Sequence, residues 1–513
     1  MVIRSPWPGL APPTGSICDA ILAKAREMGS KPAFVEGETG RTLTYAELAE
    51  FTGRISSALA REGLQPGDAV ALALPNSIEF VLAFHGTLRA GGWLTTLSPL
   101  STPEEIEHQV RDSGARFLIT VSERAALAPS VERAYVLDDN WGELLAPGPP
   151  LDRPRLATDL AVLPYSSGTT GKPKGVMLTH GNVVSNIRQL CDTGEYCPAD
   201  LTVNMMPLYH VAGMNAILNS MLAAGATVVQ MRRFDLESWL ALNERYRATA
   251  LAMPPPVVLA VTKSPLWDRF DLRSIRRAMS GAAPLGADGQ QAFEARTGIL
   301  LRQIWGMSEA TAAISLSPQD AARRKFGSCG YLLPSCEARV VDPASLRDLD
   351  AGGTGELWLR GPQIMQGYWR QPQATADTLV GDGWMRTGDI GRFDPDGCVY
   401  LVDRMKELIK YNALQVAPAE LEDVVQSHPA VLDAAVVGAP DEQCGEIPMA
   451  FVVLRGGASL TAEELMRFVA ERVAPHKKVR AVEFIDQIPK SPTGKILRRL
   501  LRERARARSA SVG

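Results

Sequence analysis

No two of the seven cysteines (Cys18, Cys191, Cys197, Cys329, Cys336, Cys398, Cys444) are spaced as a CxxC pair, and their number is odd. A disulfide framework and a zinc site of the usual spacing are thereby excluded, and a reducing compartment is expected. Nowhere does the chain run apolar without interruption for about 18 residues, the length needed to cross a bilayer. The apolar stretches 253–261 and 211–229 are broken by Pro254, Pro255 and Pro256, or by Asn215 and Asn219, and read as core. Neither sign of charge is in real excess: 54 Lys and Arg face 57 Asp and Glu, a net charge of −3. Nothing of long range therefore draws the chain to nucleic acid or to an anionic membrane. Internal repeats and low-complexity tracts are missing, which excludes solenoids and propellers. The first fifteen residues carry four prolines and no apolar leader core, so the expectation is a soluble, cytoplasmic protein.

What remains is ordinary globular material, 513 residues with 46% apolar and 22% charged side chains. That length suggests about two to four packed units. Helical periodicity over 45–62 and 77–90, with a short apolar run at 68–74 between them, sets an α/β rhythm. The rhythm continues through 115–121, 181–190, 226–231 and 299–303 and predicts a layered, mainly parallel sheet. A strand is expected at 176–178. Beyond about residue 335 the pattern becomes short antiparallel strands, at 356–360 and at 398–402 after the turn Asp394-Pro395-Asp396-Gly397. After Asp403 come a helix over 418–426, strands near 434–437 and 450–454, and a helix over 461–473 opened by the capping box Thr461 and Glu464. The fold expected is α/β: a large N-terminal layered α/β domain with a small β-rich subdomain over 1–402, and a small mobile C-terminal α+β domain over 403–513, hinged at Asp403-Arg404.

The most informative segment is Tyr165-Ser166-Ser167-Gly168-Thr169-Thr170-Gly171-Lys172-Pro173-Lys174-Gly175. Two internal glycines let backbone N–H groups converge, four Ser and Thr hydroxyls offer hydrogen bonds, and Lys172 and Lys174 add positive charge, the chemistry of a phosphate cradle. It is not a Walker loop, because Pro173 follows Gly171-Lys172 and removes an N–H that a phosphate-capping helix needs.

This loop and the ordered motifs between about Thr44 and Arg499 resemble the adenylate-forming superfamily of acyl-CoA synthetases, luciferases and adenylation domains. Within it they look most like the 4-coumarate:CoA ligase-like enzymes. The resemblance implies an ATP-dependent, AMP-forming ligase that uses Mg²⁺ and CoA, takes a small-molecule acid, and works as a monomer or homodimer. It implies that Ser166, Ser167, Gly168, Thr169, Thr170, Gly171 and Lys174 hold phosphates. Ser280-Gly281-Ala282-Ala283-Pro284 and Gln303-Ile304-Trp305-Gly306-Met307-Ser308-Glu309 would hold adenine, with Trp305 as the stacking face. Glu309, with Thr169, would meet the metal, and Asp389 and Arg404 the ribose. Lys406 and Gln415 would serve the nucleotide, and Lys410 one of the two half-reactions. Lys495, in Pro489-Lys490-Ser491-Pro492-Thr493-Gly494-Lys495, would be the principal catalytic residue, and His210 a gate at the mouth of the acyl pocket. That pocket would be lined by Tyr209, Ala212, Met214, Ile304 and Met307. The basic run 498–508 reads as a solvated terminal helix rather than an RNA-binding segment.

Four positions depart from the family pattern. Asn412-Ala413 stands where CoA ligases carry Lys-Gly, Ala212 where coumarate ligases carry an aromatic residue, and Ile304 where they carry Gly. Two readings therefore stand open. One is activation of an aromatic or hydrophobic carboxylate followed by transfer to CoA; the other is a CoA-independent adenylating enzyme, such as a diazotase activating nitrite for an aryl amine. A third, an inactive nucleotide-binding homologue, is opposed by the presence of Glu309, Asp389, Arg404 and Lys495 together with the phosphate loop.

Overall fold

The computed structural model describes residues 2–99, 101–125, 130–166, 173–350, 352–412, 414–441, 444–491 and 493–512. Its backbone follows the α/β alternation of the sequence. A nine-stranded sheet has at its centre the parallel strands Leu301–Gly306, Arg277–Ser280, Ala250–Met253, Leu201–Asn204, Thr227–Gln230 and Pro32–Glu36, with antiparallel strands added at both edges. A second, six-stranded sheet is built on Trp93–Thr96, Ala69–Ala73, Phe117–Thr120 and Arg133–Val136, all parallel. Strands such as Ala69–Ala73 are buried along their whole length, which is why they read as continuous apolar runs.

Helices fill the layer between these sheets. Ile78–Arg89 buries all 12 of its residues, as a helix covered on every side must. Tyr45–Arg61 begins at a capping box in which Thr44 and Glu47 satisfy each other's backbone N–H groups, and it packs on that helix through Ile55 and Gly86. A side chain at Gly86 would overlap Ile55, so the closeness of the two helices depends on that glycine.

The chain after residue 335 turns antiparallel, as expected. Glu337–Val341, Gly355–Arg360, Trp384–Phe393 and Val399–Arg404 form a curled sheet whose far edge is the N-terminal strand Ile3–Arg4. Ile3 faces Ala338, and Trp7 sets its ring edge-on to Tyr331 at 6.1 Å. The strand Val399–Arg404 ends at the expected hinge, and a separate five-stranded sheet opens at Ile409. This sheet has its own apolar core around Val436, Phe451 and Leu465. Pro418–Gln426 packs on it as a helix with the bounds read from sequence, and the second helix runs over Ala462–Ala470, with Thr461 and Glu464 forming the capping box.

Two expectations are corrected. The segment 176–178 is not one strand: Lys174–Gly175 pairs with Tyr165–Ser166 across the glycine-rich loop, Val176 bridges to Tyr368, and Leu178–Thr179 joins the six-stranded sheet. Alternating partners over six residues break a ladder that an apolar run alone suggests. The terminal helix Arg498–Val512 is not simply solvated. Leu501 and Ala505 are buried against the strand Val431–Asp441, and Arg498 forms a two-pronged ion pair with Glu422 at 2.7 Å. Its apolar stripe is only two residues deep, too faint to stand out among six arginines. Among the described residues, no helix is long and apolar enough to cross a membrane.

Candidate active site

The site forms where strand ends of the large sheets meet the C-terminal sheet. The end of the strand Leu301–Gly306 brings Ile304, Trp305 and Gly306 to the wall of a cavity of about 630 Å³. Gln303 is buried and donates its amide N–H to Gln290 Oε1 at 2.9 Å, so it braces the wall rather than facing the cavity. Beside it, the chain leaves the strand Arg277–Ser280 through Gly281 and then Ala282, whose φ of +73° is the left-handed region a side chain rarely occupies. A Cβ at Gly281 would overlap Ile304 Cγ2, so Ile304 packs directly on that backbone. Ala282, Ala283 and Pro284 line the cavity with small or flat surfaces. The buried Ser280 hydroxyl has no hydrogen-bond partner among the described residues.

Asp389 lies opposite. Its loop is set by Thr387, whose hydroxyl bonds Leu357 O at 2.7 Å and accepts the Asp389 N–H at 3.0 Å, and by Gly388 at φ +68°. Trp305 Nε1–H donates to Asp389 Oδ2 at 2.8 Å, and Arg404 Nε reaches Oδ1 at 2.6 Å. The Asp389 carboxylate in turn holds the Arg404 guanidinium above its ordinary range. A carboxylate has about four lone-pair positions, so two remain for other donors. The neighbouring Asp403 faces the other way: it accepts the backbone N–H of Ala419 at 2.9 Å at the start of the helix Pro418–Gln426.

Lys495 enters this cavity from the C-terminal side. Its loop is closed by a pair of contacts, Ser491 N–H to Lys495 O at 2.8 Å and Lys495 N–H to Ser491 Oγ at 3.1 Å. Gly494, at φ +81°, rests on Pro254, where a Cβ would stand 3.2 Å from the proline Cβ. Enclosure first and the Arg404 charge second lower the Lys495 pKa, while Asp389 and Glu407 pull it back up. Lys406 is lowered to about 8, first by enclosure and then by Lys495. His210 is pushed down to about 4 by enclosure, with Lys495 adding to it. Its Nδ1 accepts the Ala212 N–H at 3.2 Å, so the neutral ring carries its proton on Nε2.

Glu309 sits in the short turn Ser308–Ala310. Its Oε1 accepts from Tyr368 OH at 3.0 Å and from Ser166 Oγ at 3.1 Å. Lys174 Nζ stands 4.8 Å from the centre of the Tyr368 ring. Among the described residues no cluster of three or more His, Cys, Asp or Glu is placed to hold a metal ion. The donor set at Glu309, one carboxylate beside a hydroxyl, fits a cation such as Mg²⁺, which takes one or two protein oxygens and completes its shell with phosphates and water.

The remaining expected residues divide by position. Ser167, Gly168, Thr169, Thr170 and Gly171 lie outside the described residues, as does Ala413. Tyr209, Ala212, Met214, Ile304 and Met307 all belong to one apolar cluster at the centre of the large sheets, with Ala212 opening a π-helical turn over Ala212–Asn219. Lys410 and Gln415 are not brought to the cavity: they face each other on the exposed hairpin of Ile409–Tyr411 and Leu414–Val416. Asn412 opens the turn of that hairpin at φ +48°, a conformation that asparagine tolerates better than most side chains. Sequence reading missed Tyr368, and missed that Trp305 and Asp389 are bonded. A tyrosine between Gly367 and Trp369 is a weak signal, and partners 84 residues apart leave none.

Comparison with known proteins follows this geometry. The sequence profile described as AMP-binding enzyme matches residues 22–369, and that of the AMP-binding enzyme C-terminal domain matches 420–495. The chain is 39% identical to 4-coumarate–CoA ligase 3 of Oryza sativa subsp. japonica over 507 residues, covering 95% of this chain and 91% of that protein. Among solved structures, it resembles the anthranilate CoA ligase AuaEII in complex with anthranoyl-AMP, with a TM-score of 0.90, 25% identity, and coverage of 98% of this chain and 99% of the other. It also resembles the amide bond synthetase McbA from Marinactinospora thermotolerans, with a TM-score of 0.83, 30% identity, and coverage of 95% and 99%.

Proposed function

Because the chain belongs to the AMP-binding enzymes, a family of ATP-dependent adenylate-forming ligases, we propose that it activates an aromatic or hydrophobic carboxylate as acyl-AMP and then transfers the acyl group to CoA. The observation that carries this reading is the convergence of Lys495 with Trp305, Asp389 and Arg404 on one cavity. A carboxylate oxygen attacks the α-phosphorus of ATP, the new C–O–P bond forms, and the bond to the β-phosphate oxygen breaks with pyrophosphate leaving. Charge gathers on the α-phosphate and on the departing oxygen, where the Lys495 ammonium stabilises it more than it does the ground state. Asp389 receives the ribose hydroxyls on its remaining lone pairs while Arg404 holds the carboxylate in place. The Trp305 ring offers adenine a face against the small residues 281–283. Bound at Glu309, Mg²⁺ would offset the phosphate charge. Glu309 and Ser166 would hold it, with Thr169 as the further oxygen.

His210 stays neutral at any ordinary assay pH, so its ring is suited to gating and not to carrying charge. In the second step a thiolate attacks the acyl carbon and AMP leaves. That step needs the unit 403–513 to turn about Asp403-Arg404 so that the hairpin of Lys410 and Gln415 replaces Lys495 at the site. The hairpin favours a second reading as well: Asn412 supplies no charge for CoA phosphates, and the related fold of an amide bond synthetase is compatible with an acceptor other than a thiol. The activated acid of that second reading includes nitrite, with an aryl amine as acceptor.

The test is pyrophosphate release from ATP and Mg²⁺ with 4-coumarate, benzoate, anthranilate, or nitrite plus an aminobenzoate, each with and without CoA and with products identified by mass. Acid-dependent release with a thioester formed only in the presence of CoA is expected. Turnover indifferent to CoA, with loss of the arylamine, would replace the first reading by the second. No release with any of these acids would remove the substrate class proposed.

The Lys406 environment adds a pH signature. A pKa lowered to about 8 leaves the ammonium charged at pH 7 and neutral above pH 9. Since phosphate attraction needs the charged form, kcat/KM for ATP should fall as pH rises through about 8, with no inflection near 6.5 from His210. Lys406→Arg should move that alkaline fall beyond the measurable range. An unchanged profile in the variant would show that Lys406 does not set it.

A further inference from the structure

We infer that Tyr368 is a positioning residue that divides the two oxygens of Glu309, tying Oε1 to the protein and leaving Oε2 for the cation. The inference rests on the reading of Glu309 as the metal carboxylate, and two contacts support it. The Tyr368 hydroxyl donates to Oε1 at 3.0 Å from a ring that is 9% exposed. Ser166 Oγ, at the entrance of the glycine-rich loop, donates to the same oxygen at 3.1 Å, whereas no donor among the described residues reaches Oε2. A carboxylate with one oxygen doubly bonded loses its freedom to rotate, so the other oxygen is held in one direction before the cation arrives.

The same ring serves the cationic side of the phosphate site. Lys174 Nζ stands 4.8 Å over its face, within the range of a cation–π contact. A cation on the face of a phenol draws electron density from the ring and strengthens the O–H as a donor to Glu309. Tyr368 is itself fixed from three sides. Its backbone bridges Val176, its N–H donates to Thr375 Oγ1 at 2.9 Å, and the adjoining Trp369 N–H donates to Gly175 O at 2.8 Å. The segment Gly367-Tyr368-Trp369 is thereby stitched to the strand leaving the glycine-rich loop, so that one side chain sets both the carboxylate and the lysine flanking the phosphates.

Tyr368→Phe separates these effects, because it keeps the ring under Lys174 and deletes only the hydroxyl. The readout is the affinity of the enzyme with α,β-methylene-ATP for Mn²⁺, followed by the loss of the free-ion resonance signal, alongside the Mg²⁺ dependence of pyrophosphate exchange. Cation affinity should fall about tenfold, as loss of a hydrogen bond to a charged group implies. The exchange rate at saturating Mg²⁺ should stay within about twofold of wild type, and nucleotide affinity without metal should be unchanged. Tyr368→Leu should add weaker nucleotide binding through Lys174. Wild-type Mn²⁺ affinity in Tyr368→Phe, or a fall in the saturated rate at unchanged affinity, would overturn the inference. Glu309→Gln separates the two levels: unchanged Mn²⁺ affinity there would remove the reading of Glu309 itself, and thermal unfolding of each variant identifies one that has merely lost its fold.

Discussion

Replacing Lys495 by alanine should slow acid-dependent ATP–pyrophosphate exchange by about 10²–10³-fold, the usual effect of removing one preorganised group from a developing charge. Affinity for ATP should change far less, because the function proposed gives the nucleotide to Trp305, Asp389 and Arg404 on the other side of the cavity. The asymmetry follows from the environment of the lysine. Its ammonium is desolvated beside Arg404, a cost that Asp389 and Glu407 offset only in part, so it gains most when negative charge appears on the phosphates. Lys495→Arg keeps the charge but exchanges a compact ammonium for a planar fork on a longer stem, and should recover only part of the rate. Rapid-quench measurement of acyl-adenylate in a single turnover separates this chemical effect from slow product release. Exchange within about threefold of wild type would place the stabilising cation elsewhere, with Lys406 the next to test.

Asp389→Ala should produce the second large effect, this time on binding. Two charge-assisted hydrogen bonds to ribose hydroxyls are worth about 1.5–3 kcal/mol each. Allowing for water that takes their place, KM for ATP should rise by about 30–100-fold with a smaller change in kcat. The loss reaches beyond the ribose, because Asp389 also receives the Trp305 N–H and the Arg404 guanidinium. Without it the indole and Arg404 lose their common anchor, and stacking of adenine weakens together with ribose recognition. Asp389→Asn retains an acceptor for Trp305 but not the ion pair, and should fall between wild type and alanine. 2′-Deoxy-ATP gives an independent check: if Asp389 reads the ribose, the variant should discriminate against it less than wild type does. Equal discrimination in both proteins would assign the ribose to another group.

How far the sequence exposed this arrangement depended on the range of the interaction. Pro418–Gln426 and the capping box at Thr461 were legible because proline at a helix start, a Thr-to-Glu spacing and an apolar stripe are all local. The buried strands of the large sheets announced themselves as short apolar runs between turns. The segment 176–178 misled because Val176 and Met177 pair with the stretch 366–368 while Leu178 joins the six-stranded sheet, and apolarity does not say which. The terminal helix misled because its arginines hid Leu501 and Ala505. In the site, individual motifs stood out, but the bonds between them did not. Trp305 with Asp389, Tyr368 with Glu309 and Arg404 with Asp389 join segments apart along the chain. A residue such as Tyr368, with no unusual chemistry of its own, acquires meaning only through such a neighbour.

The pairing of Ile3–Arg4 with Glu337–Ala338 sets a timetable for the newborn chain. The side chains of Arg4 and Glu337 join across a separation of 333 positions. At about 5–20 residues per second, roughly 17–67 s pass on the ribosome between synthesis of the first strand and synthesis of its partner. Through that interval Ile3 and Trp7 have no sheet and no Tyr331 to rest against, although the parallel strands behind them have been made and can pair. The amino-terminal ribbon is thus translated long before the strand it docks on, and it waits undocked until that strand is made.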